Sequence, residues 1–464
     1  MNTYRFKIEN YHSIGKADIA LNGITVLAGI NGSGKSTLAR WLYYIVKGAN
    51  EYEKNCFEEF KQSMHDFMYR YEKILIEMIM KNIIVDEQIL PTLQKTRESI
   101  NAFHYSNMSS FDKITEVYLL FTFNFVNTLK KAFTSMDISN KNRIFNYLQI
   151  EKKHDESDDV ALDNFFIQQK RNGAIIIGKH LTLRNVRPID KLYKYIREHY
   201  KEQEYPQKIS FQEDGVEIIN KEEMFDPQNE SLRIDEAILT KGKIGVIFGL
   251  KSAIYIDTPM ALSVTKSDNS FWNEIKELLK NNIDKTGNNN VINNLLSYLR
   301  SITGGKVIDK QDVVGDDELC FTRASDNLTI KLEQMATGIK SFAYLDRLLE
   351  NGYLTQGNIL IIDEPEAHLH PQWIVEYARM LVQIHKETGL YVMLASHDPD
   401  MVSAIRYIAE KEEVLDDTTF YLAEQDNNAE TFTYRELGHD IEPIFASFNK
   451  SFDLIEKYGV DNGK

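Results

Sequence analysis

Residues 4–8 alternate apolar and polar side chains, residues 14–21 continue in the same period, and Ile24-Thr25-Val26-Leu27-Ala28 follows as a short apolar run. A period of two marks a strand with one buried face, so the chain is expected to open with three short strands. The period then lengthens. Residues 38–46 are helix-compatible, and Phe57, Phe60, Met64, Phe67, Tyr71, Ile74 and Met78 recur at alternating spacings of three and four. That is heptad-like helix packing over roughly three heptads, with Pro91 as a break. The stripe is aromatic and methionine-rich, and charges at e and g are not sustained, which favours a helical subdomain core over a short antiparallel arm. Strand patterns return at 209–212 and 215–219, with strand-like or apolar pieces at 244–250 and 253–259. A helix is expected over 271–282, capped by Asp268 or Ser270, then a loop over 287–290 and a second helix over 339–350. Residues 359–362 and 391–394 are continuous apolar runs of the kind found in parallel strands buried on both faces.

The third expected strand leads directly into Gly29-Ile30-Asn31-Gly32-Ser33-Gly34-Lys35-Ser36-Thr37. This is G-x-x-x-x-G-K-[ST] between a strand and a helix, the order such a loop needs to cradle phosphates. Its glycines allow backbone N–H groups to turn inward around an anion, and the helix N-terminus adds a favourable partial charge. Lys35 is then expected to reach the β- and γ-phosphates, Ser36 to ligate Mg²⁺ and Thr37 to contact the α-phosphate.

Composition narrows the classes. The 464 residues are 43% hydrophobic and 27% charged, so more than one packed unit is expected and global disorder is not. No apolar stretch approaches the roughly 18 residues that span a bilayer, residues 1–10 lack a secretory h-region, and Cys56 and Cys320 are too few for a disulfide framework. A cytoplasmic protein without a membrane role is expected. With 54 Lys plus Arg against 69 Asp plus Glu, the net charge of −15 disfavours a whole-surface nucleic-acid coat. Residues 168–208 reverse this locally with a net charge of about +6, which makes them a candidate for contacting nucleic acid or an acidic protein through charge. A solvated helix face accounts for them equally well.

The second half carries the reaction. The run 359–362 ends in Asp363-Glu364-Pro365-Glu366, and a carboxylate pair at a strand's C-terminal end is where α/β sheets place ligand chemistry. Asp363 suits Mg²⁺ binding and Glu364 suits the general base that polarises an attacking water. Thr337-Gly338 sits just before a helix, where a hydroxyl and free N–H groups form an anion site. His397 follows the second apolar run and has the near-neutral pKa that relay chemistry uses. His368 and His370, at i and i+2, would lie on different helix faces, which argues against a metal pair.

These motifs together resemble ABC-type ATPases of the RecF, SMC and OLD-like branch, within the wider AAA family. Asp363 through Pro371 looks like the Walker B and D-loop, Met335-Ala336-Thr337-Gly338-Ile339-Lys340-Ser341 stands at the signature position, and Leu394-Ala395-Ser396-His397-Asp398 at the switch histidine. The signature departs from Leu-Ser-Gly-Gly-Gln, since Thr337 and Gly338 match whereas Ile339 and Lys340 do not. Within the branch, Thr337 through Phe342, Leu348 through Leu354 and Asp363 through Trp373 are most similar to PtuA-type ATPases of the bacterial anti-phage system Septu, with PARIS-type ATPases as near neighbours. The resemblance covers roughly residues 1–48 and 240–410.

It implies an α/β fold, an ABC-type P-loop NTPase head with a mixed sheet and flanking helices, interrupted by a mainly helical insertion. The expected division is 1–48 for the first part of the head, 49–205 for the insertion and 206–464 for the remainder. ATP and Mg²⁺ are the implied ligands. The implied nucleotide contacts are Asn31, Gly32, Ser33, Gly34, Lys35, Ser36, Thr37, Thr337 and Gly338, with Ser36 and Asp363 on the metal and Glu364, His397 and Lys35 catalytic. The implied partners are a second copy, because the signature of one subunit faces the other's nucleotide, and a separate nuclease of HNH or Toprim type. A RecF- or SMC-like DNA-repair clamp, or a scaffold that holds ATP with little turnover, are the alternatives. Gln168 and Gln212 are the candidates for a Q-loop glutamine.

Overall fold

The computed structural model describes residues 2–80, 111–134, 136–154, 156–221, 233–234, 237–238, 242–264, 267–281, 290–311, 317–323, 325–427 and 429–448. Pro91 and residues 282–289 lie outside them, as do the side chains of Ile74 and Met78. The chain divides into two compact units, Met1–Asn50 with Pro188–Lys464, and Glu51–Arg187.

In the first unit the three opening strands form as their periodicity dictates: β1 (Tyr4–Tyr11), β2 (Ile14–Leu21) and β3 (Ile24–Ala28). After the second unit follow β4 (Lys208–Glu213), β5 (Val216–Lys221), β6 (Arg233–Ile234), β7 (Ala237–Ile238), β8 (Lys243–Ile244) and β9 (Ser252–Ile256). Then come β10 (Lys306–Gln311), β11 (Asp317–Arg323), β12 (Leu328–Lys331), β13 (Asn358–Asp363), β14 (Tyr391–Ser396), β15 (Thr418–Gln425) and β16 (Phe432–Gly438). Among the described residues one mixed sheet runs β8-β5-β4-β1-β2-β16-β15-β3-β14-β13-β9. Its block β15-β3-β14-β13-β9 is parallel throughout, and the wing from β2 to β8 is antiparallel. The expected strand over 244–250 is not one beyond Ile244. The N–H groups of Phe248 and Gly249 donate instead to the buried Glu213 carboxylate at 2.8 and 2.5 Å, which holds that stretch as a loop.

The parallel strands are apolar because both faces are covered. Ile359, Leu360 and Ile361 are fully inaccessible and Ile362 is nearly so. One face, including Val26, Ile254, Leu360, Ile362 and Leu394, shares a core with α8 (Thr337–Glu350), α9 (Pro371–Thr388) and α10 (Pro399–Lys411). The first unit also contains the beginning of α1 (Lys35–Met80), α5 (Ile189–Tyr200), α6 (Ser270–Lys280), α7 (Asn290–Thr303) and α11 (Glu442–Phe448). The N-cap of α6 is Asn269, not Asp268 or Ser270: its side chain accepts from the N–H groups of Phe271 and Trp272. The α/β fold class is therefore as the sequence implies. The observed boundary falls at Arg187 rather than 205, because α5 packs within the first unit. Its Leu192 lies so close to Gly48 that a Cβ there would meet Leu192 Cδ1 at 2.0 Å, and Tyr193 stacks on Tyr205.

The second unit is helical. It holds the later turns of α1 with α2 (Phe111–Thr134), α3 (Ile138–Leu148) and α4 (Asp158–Val186). Phe60, Met64, Phe67 and Tyr71, the described buried members of the heptad stripe, share its core with Tyr118, Phe121, Phe125 and Phe166. That is the helical subdomain core the stripe favours.

Two glycines on α4 give a matched test of this packing. A Cβ on Gly173 would lie 1.8 Å from the Tyr118 hydroxyl, whereas one on Gly178 would meet nothing within 4 Å. Gly173→Ala should lower stability by about 1–3 kcal/mol through overpacking. Gly178→Ala should raise it by about 0.5–1 kcal/mol through helix propensity and reduced unfolded-state freedom. Denaturant melts of the two variants compare them directly.

Candidate functional site

The register of the parallel block determines what meets at its C-terminal edge. Ala28 pairs with Ser396, Asp363 with Ala395 and Ile362 with Ile256. Four strand ends are thus level, and the loops leaving them carry Gly29 to Lys35, Asp363-Glu364, His397 and Asp257. Ligands of open α/β sheets bind at this edge.

The loop after β3 is shaped by two glycines that no L-residue replaces without strain. Gly32 and Gly34 have φ of +81° and +94°, and a Cβ on Gly34 would come within 2.7 Å of Ile14 Cγ1. Asn31 and Gly32 are exposed at the tip, while Ser33 is buried and the Tyr434 hydroxyl donates to its carbonyl at 3.0 Å. Helix α1 begins at Lys35. Among the described residues the N–H groups of Ser36 and Thr37 in its first turn have no acceptor, the arrangement of an anion site at a helix N-terminus. Lys35 is buried, and its ammonium donates to the carbonyls of Gly29 (2.8 Å) and Ile30 (3.0 Å). Burial lowers its pKa, opposed by the charges of Asp363, Glu364 and Glu366.

Asp363, the last residue of β13, is the electrostatic centre. Burial raises its pKa from 3.8 to about 6, with Glu364 adding to the rise, while the Ser36 side chain, Lys35 and Arg40 favour the charged form. The Tyr255 hydroxyl, from β9, donates to Oδ2 at 3.4 Å, and Oδ1 is buried with no hydrogen-bond partner among the described residues. A buried carboxylate oxygen left open beside a serine hydroxyl fits an oxygen-ligated divalent cation such as Mg²⁺. Glu364 takes the left-handed conformation (φ +50°) while its N–H donates to Ala395 O at 2.8 Å. That conformation costs a non-glycine residue about 1–2 kcal/mol. It lifts Glu364 out of the strand, with its side chain about half exposed.

Glu366 was not singled out by sequence reasoning, yet it organises the neighbouring strand end. Its buried Oε1 accepts from Ser396 Oγ and from the His397 N–H, both at 3.0 Å, and lies 3.1 Å from His397 Nδ1. The Glu364 carboxylate is 3.8 Å from the same nitrogen. Contact with Glu366 raises the His397 pKa against the opposing effect of burial. A second overlooked residue is Asp257. Trp272 Nε1 donates to its two oxygens at 3.0 and 2.9 Å, and burial raises its pKa. The signal was present: Ile256-Asp257-Thr258-Pro259 has the same aliphatic-Asp-x-Pro pattern as Ile362-Asp363-Glu364-Pro365.

Lys35, Asp363, Glu364, Glu366 and His397 are thus brought together. Among the described residues no hydrogen bond or ion pair joins Thr337 or Gly338 to these five. They form the first turn of α8, where a Cβ on Gly338 would lie 3.3 Å from the Trp373 ring and 3.4 Å from His368 O. Ala336 at the N-cap supplies no side-chain acceptor; the Ile339 N–H donates to Ala336 O at 3.0 Å, and among the described residues the N–H groups of Thr337 and Gly338 have no acceptor. Lys340, which breaks the signature pattern, is buried and donates to Ser263 Oγ and Glu333 O. His368 and His370 lie before α9 rather than on its faces: His368 has φ +64°, and His370 is the N-cap, accepting from Gln372 N–H. Neither Q-loop candidate lies at the parallel edge. Gln168 is on α4 in the helical unit, and Gln212 pairs with Arg5 in the antiparallel wing. The basic stretch 168–208 is divided between the two units, and Arg187, Lys194 and Lys208 form ion pairs with Glu53, Glu198 and Glu9.

A strand, a glycine-rich loop, a helix beginning at the loop's lysine, and an acidic residue at the end of a nearby parallel strand define a P-loop nucleoside-triphosphate-binding protein. The AAA ATPase domain family AAA_15 matches residues 1–402, and the chain belongs to that family. The energy-coupling factor transporter ATP-binding protein EcfA2 of Clostridium perfringens (strain SM101 / Type A) is 36% identical over 72 residues, 15% of this chain and 25% of that protein. EcfA2 of Bacillus anthracis is 32% identical over 106 residues, 22% and 33% of the respective chains. The chain thus spans a quarter to a third of the length of these curated relatives. Similar solved structures include the Smc head bound to the C-winged helix domain of ScpA (10% identity, TM-score 0.37, 95% of this chain and 98% of that one). The SMC head domain from Thermotoga maritima has 10% identity and a TM-score of 0.36, with 94% and 99% covered. No helix among the described residues is long and apolar enough to cross a membrane.

Two predictions follow the charges. Because the folded-state pKa of Asp363 lies above its ordinary value, the native state holds this proton more tightly than the unfolded chain. Its contribution therefore turns unfavourable as pH rises from about 4 to about 6 and stays so above. Asp363→Asn should stabilise the nucleotide-free protein at pH 7.5 by on the order of 1–3 kcal/mol, read as a higher Tm, while abolishing Mg²⁺-dependent nucleotide binding. Glu366→Gln should bring the His397 pKa back down toward 6.5, measured by NMR titration of its imidazole.

Proposed function

We propose that this chain is an ATP-hydrolysing switch that pairs with a second copy around ATP and so controls a separate nuclease in anti-phage defence. The observation that carries the ATPase reading is the partly buried Asp363 carboxylate, whose buried Oδ1 has no partner among the described residues, within electrostatic reach of Ser36 and the phosphate-loop lysine. In this reading the backbone of residues 31–37 binds the triphosphate, Lys35 leaves its loop carbonyls to meet phosphate, and Ser36 and Asp363 hold Mg²⁺. The metal supplies Lewis-acid charge that offsets the negative charge on phosphate. Glu364, raised out of its strand, takes a proton from the attacking water. His397 is kept oriented and biased toward its charged form by Glu366, where it can donate to a phosphate oxygen or the water.

The dimer follows from what one copy leaves apart. The first turn of α8, with Thr337 and Gly338, has no side-chain cap, and among the described residues no hydrogen bond joins it to the chain's own phosphate loop, so it reads as an anion site left for another ligand. A second copy presenting that turn would complete the nucleotide site. The nuclease partner, of HNH or Toprim type, and the role in defence rest on the resemblance of Thr337 through Phe342, Leu348 through Leu354 and Asp363 through Trp373 to PtuA-type ATPases. Nucleotide state would set partner affinity because closed and open forms present different surfaces.

Glu364→Gln tests the base and the switch together. Steady-state phosphate release should fall by roughly 10²–10⁴-fold. Light scattering with Mg²⁺ and ATP should show a dimer that persists, where the wild type returns to its starting mass. Hydrolysis at the wild-type rate would remove Glu364 from its role. Copurification with the product of a neighbouring gene, followed by mass determination, tests the nuclease partner.

A further inference from the structure

The helical unit contains a cavity of about 610 Å³ that plays no part in the phosphate-loop chemistry, since all its lining residues fall within Glu51–Arg187. Its size is in the range that holds small ligands, roughly 300–1,000 Å³. One side is aromatic. Phe67 and Tyr71 are buried with ring centroids 5.1 Å apart, and Tyr71 is fixed further by an edge contact to Phe125 at 4.9 Å. Phe165 adds a third ring to the lining.

The polar part of the wall includes an amide whose acceptor end is already used. Gln169 Oε1 accepts from both the Tyr71 hydroxyl and Asn172 Nδ2, the latter at 3.1 Å. The carbonyl end of that amide is thereby occupied, and its N–H groups have no hydrogen-bond acceptor among the described residues. Arg70 lines the same cavity and is exposed, and among the described residues no carboxylate pairs with it. Leu148 and Ile176 add aliphatic surface to the lining.

Aromatic rings, an amide donor and a guanidinium for which the described residues supply no carboxylate together select a ligand that is planar, carries hydrogen-bond acceptors on its edge and bears a compact anion. We infer that this cavity binds a 5′-phosphorylated nucleotide, its base against the Phe67, Tyr71 and Phe165 rings and its phosphate at Arg70. The shared chemistry has two sources, a free mononucleotide or the end of a nucleic-acid chain. The inference does not depend on the ATPase reading, because the two sites lie in different units.

The test uses the full-length Lys35→Ala protein, in which the phosphate loop is disabled, titrated by calorimetry with AMP, with dTMP and with 5′-phosphorylated trithymidylate. Saturable one-to-one binding of at least one probe is expected. On the same background Arg70→Ala should weaken it by at least about tenfold, through loss of the fork to phosphate, and Ile176→Trp should eliminate it by filling the cavity. Tighter binding of the trinucleotide than of both mononucleotides identifies a chain end, and the reverse identifies a free nucleotide. Arg70 is exposed, so its substitution leaves the fold intact, and thermal melts check Ile176→Trp. Absence of saturable binding by all three probes overturns the inference, as does equal affinity in the Arg70→Ala protein. ATP binding by the wild-type protein reports on the phosphate loop separately.

Discussion

Burying a carboxylate at the end of a strand that is inaccessible on both faces costs free energy unless charge or donors compensate it. Asp363 is in that position. Its pKa is pushed to about 6, one oxygen has no partner among the described residues, and its contact with Tyr255 is long. Lys35 donates to its own loop carbonyls and, with Arg40, favours the charged form of Asp363 through the field. The geometry of the edge follows from this incomplete compensation. A site that is under-neutralised when empty gains more from a cation-bearing nucleotide than a neutralised one would.

The fold makes such a site affordable. Parallel strands bring four C-terminal ends into register, so the phosphate loop, Asp363, His397 and Asp257 are level without any loop having to reach across the sheet. The aliphatic runs that feed those ends anchor them, since each buried Ile or Leu contributes about 1.5–3 kcal/mol. That anchorage tolerates both the unfavourable burial of Asp363 and the left-handed backbone of Glu364. Glu366 then ties two strand ends together by accepting from Ser396 and His397.

Much of this was legible in the sequence because it is local. The loop Gly29 to Thr37, the runs ending at Asp363 and His397, and the aromatic heptads of α1 each announce themselves through spacing or period. What was missed depends on tertiary contact. Glu366 gains its role only because β14 lies beside β13, and a carboxylate three residues after Asp363 reads as an ordinary turn. Asp257 had a visible pattern, but its place at the edge comes from the pairing of β9 with β13. The unit boundary at Arg187 is set by Leu192 against Gly48, a contact between segments far apart in sequence. The histidines at 368 and 370 were read on a helix that in fact starts at Pro371.

Direct titration of the Asp363 carboxyl probes the central claim most closely. With ¹³C-labelled aspartate, and Asp363→Asn to assign the signal, infrared or NMR titration should give a pKa near 6 in the nucleotide-free protein. With Mg²⁺ and ATP the same group should ionise below the ordinary aspartate value, because a bound cation favours its charged form. An ordinary value of about 3.8 in the free protein, or a value that Mg²⁺ and ATP leave unchanged, would contradict the account.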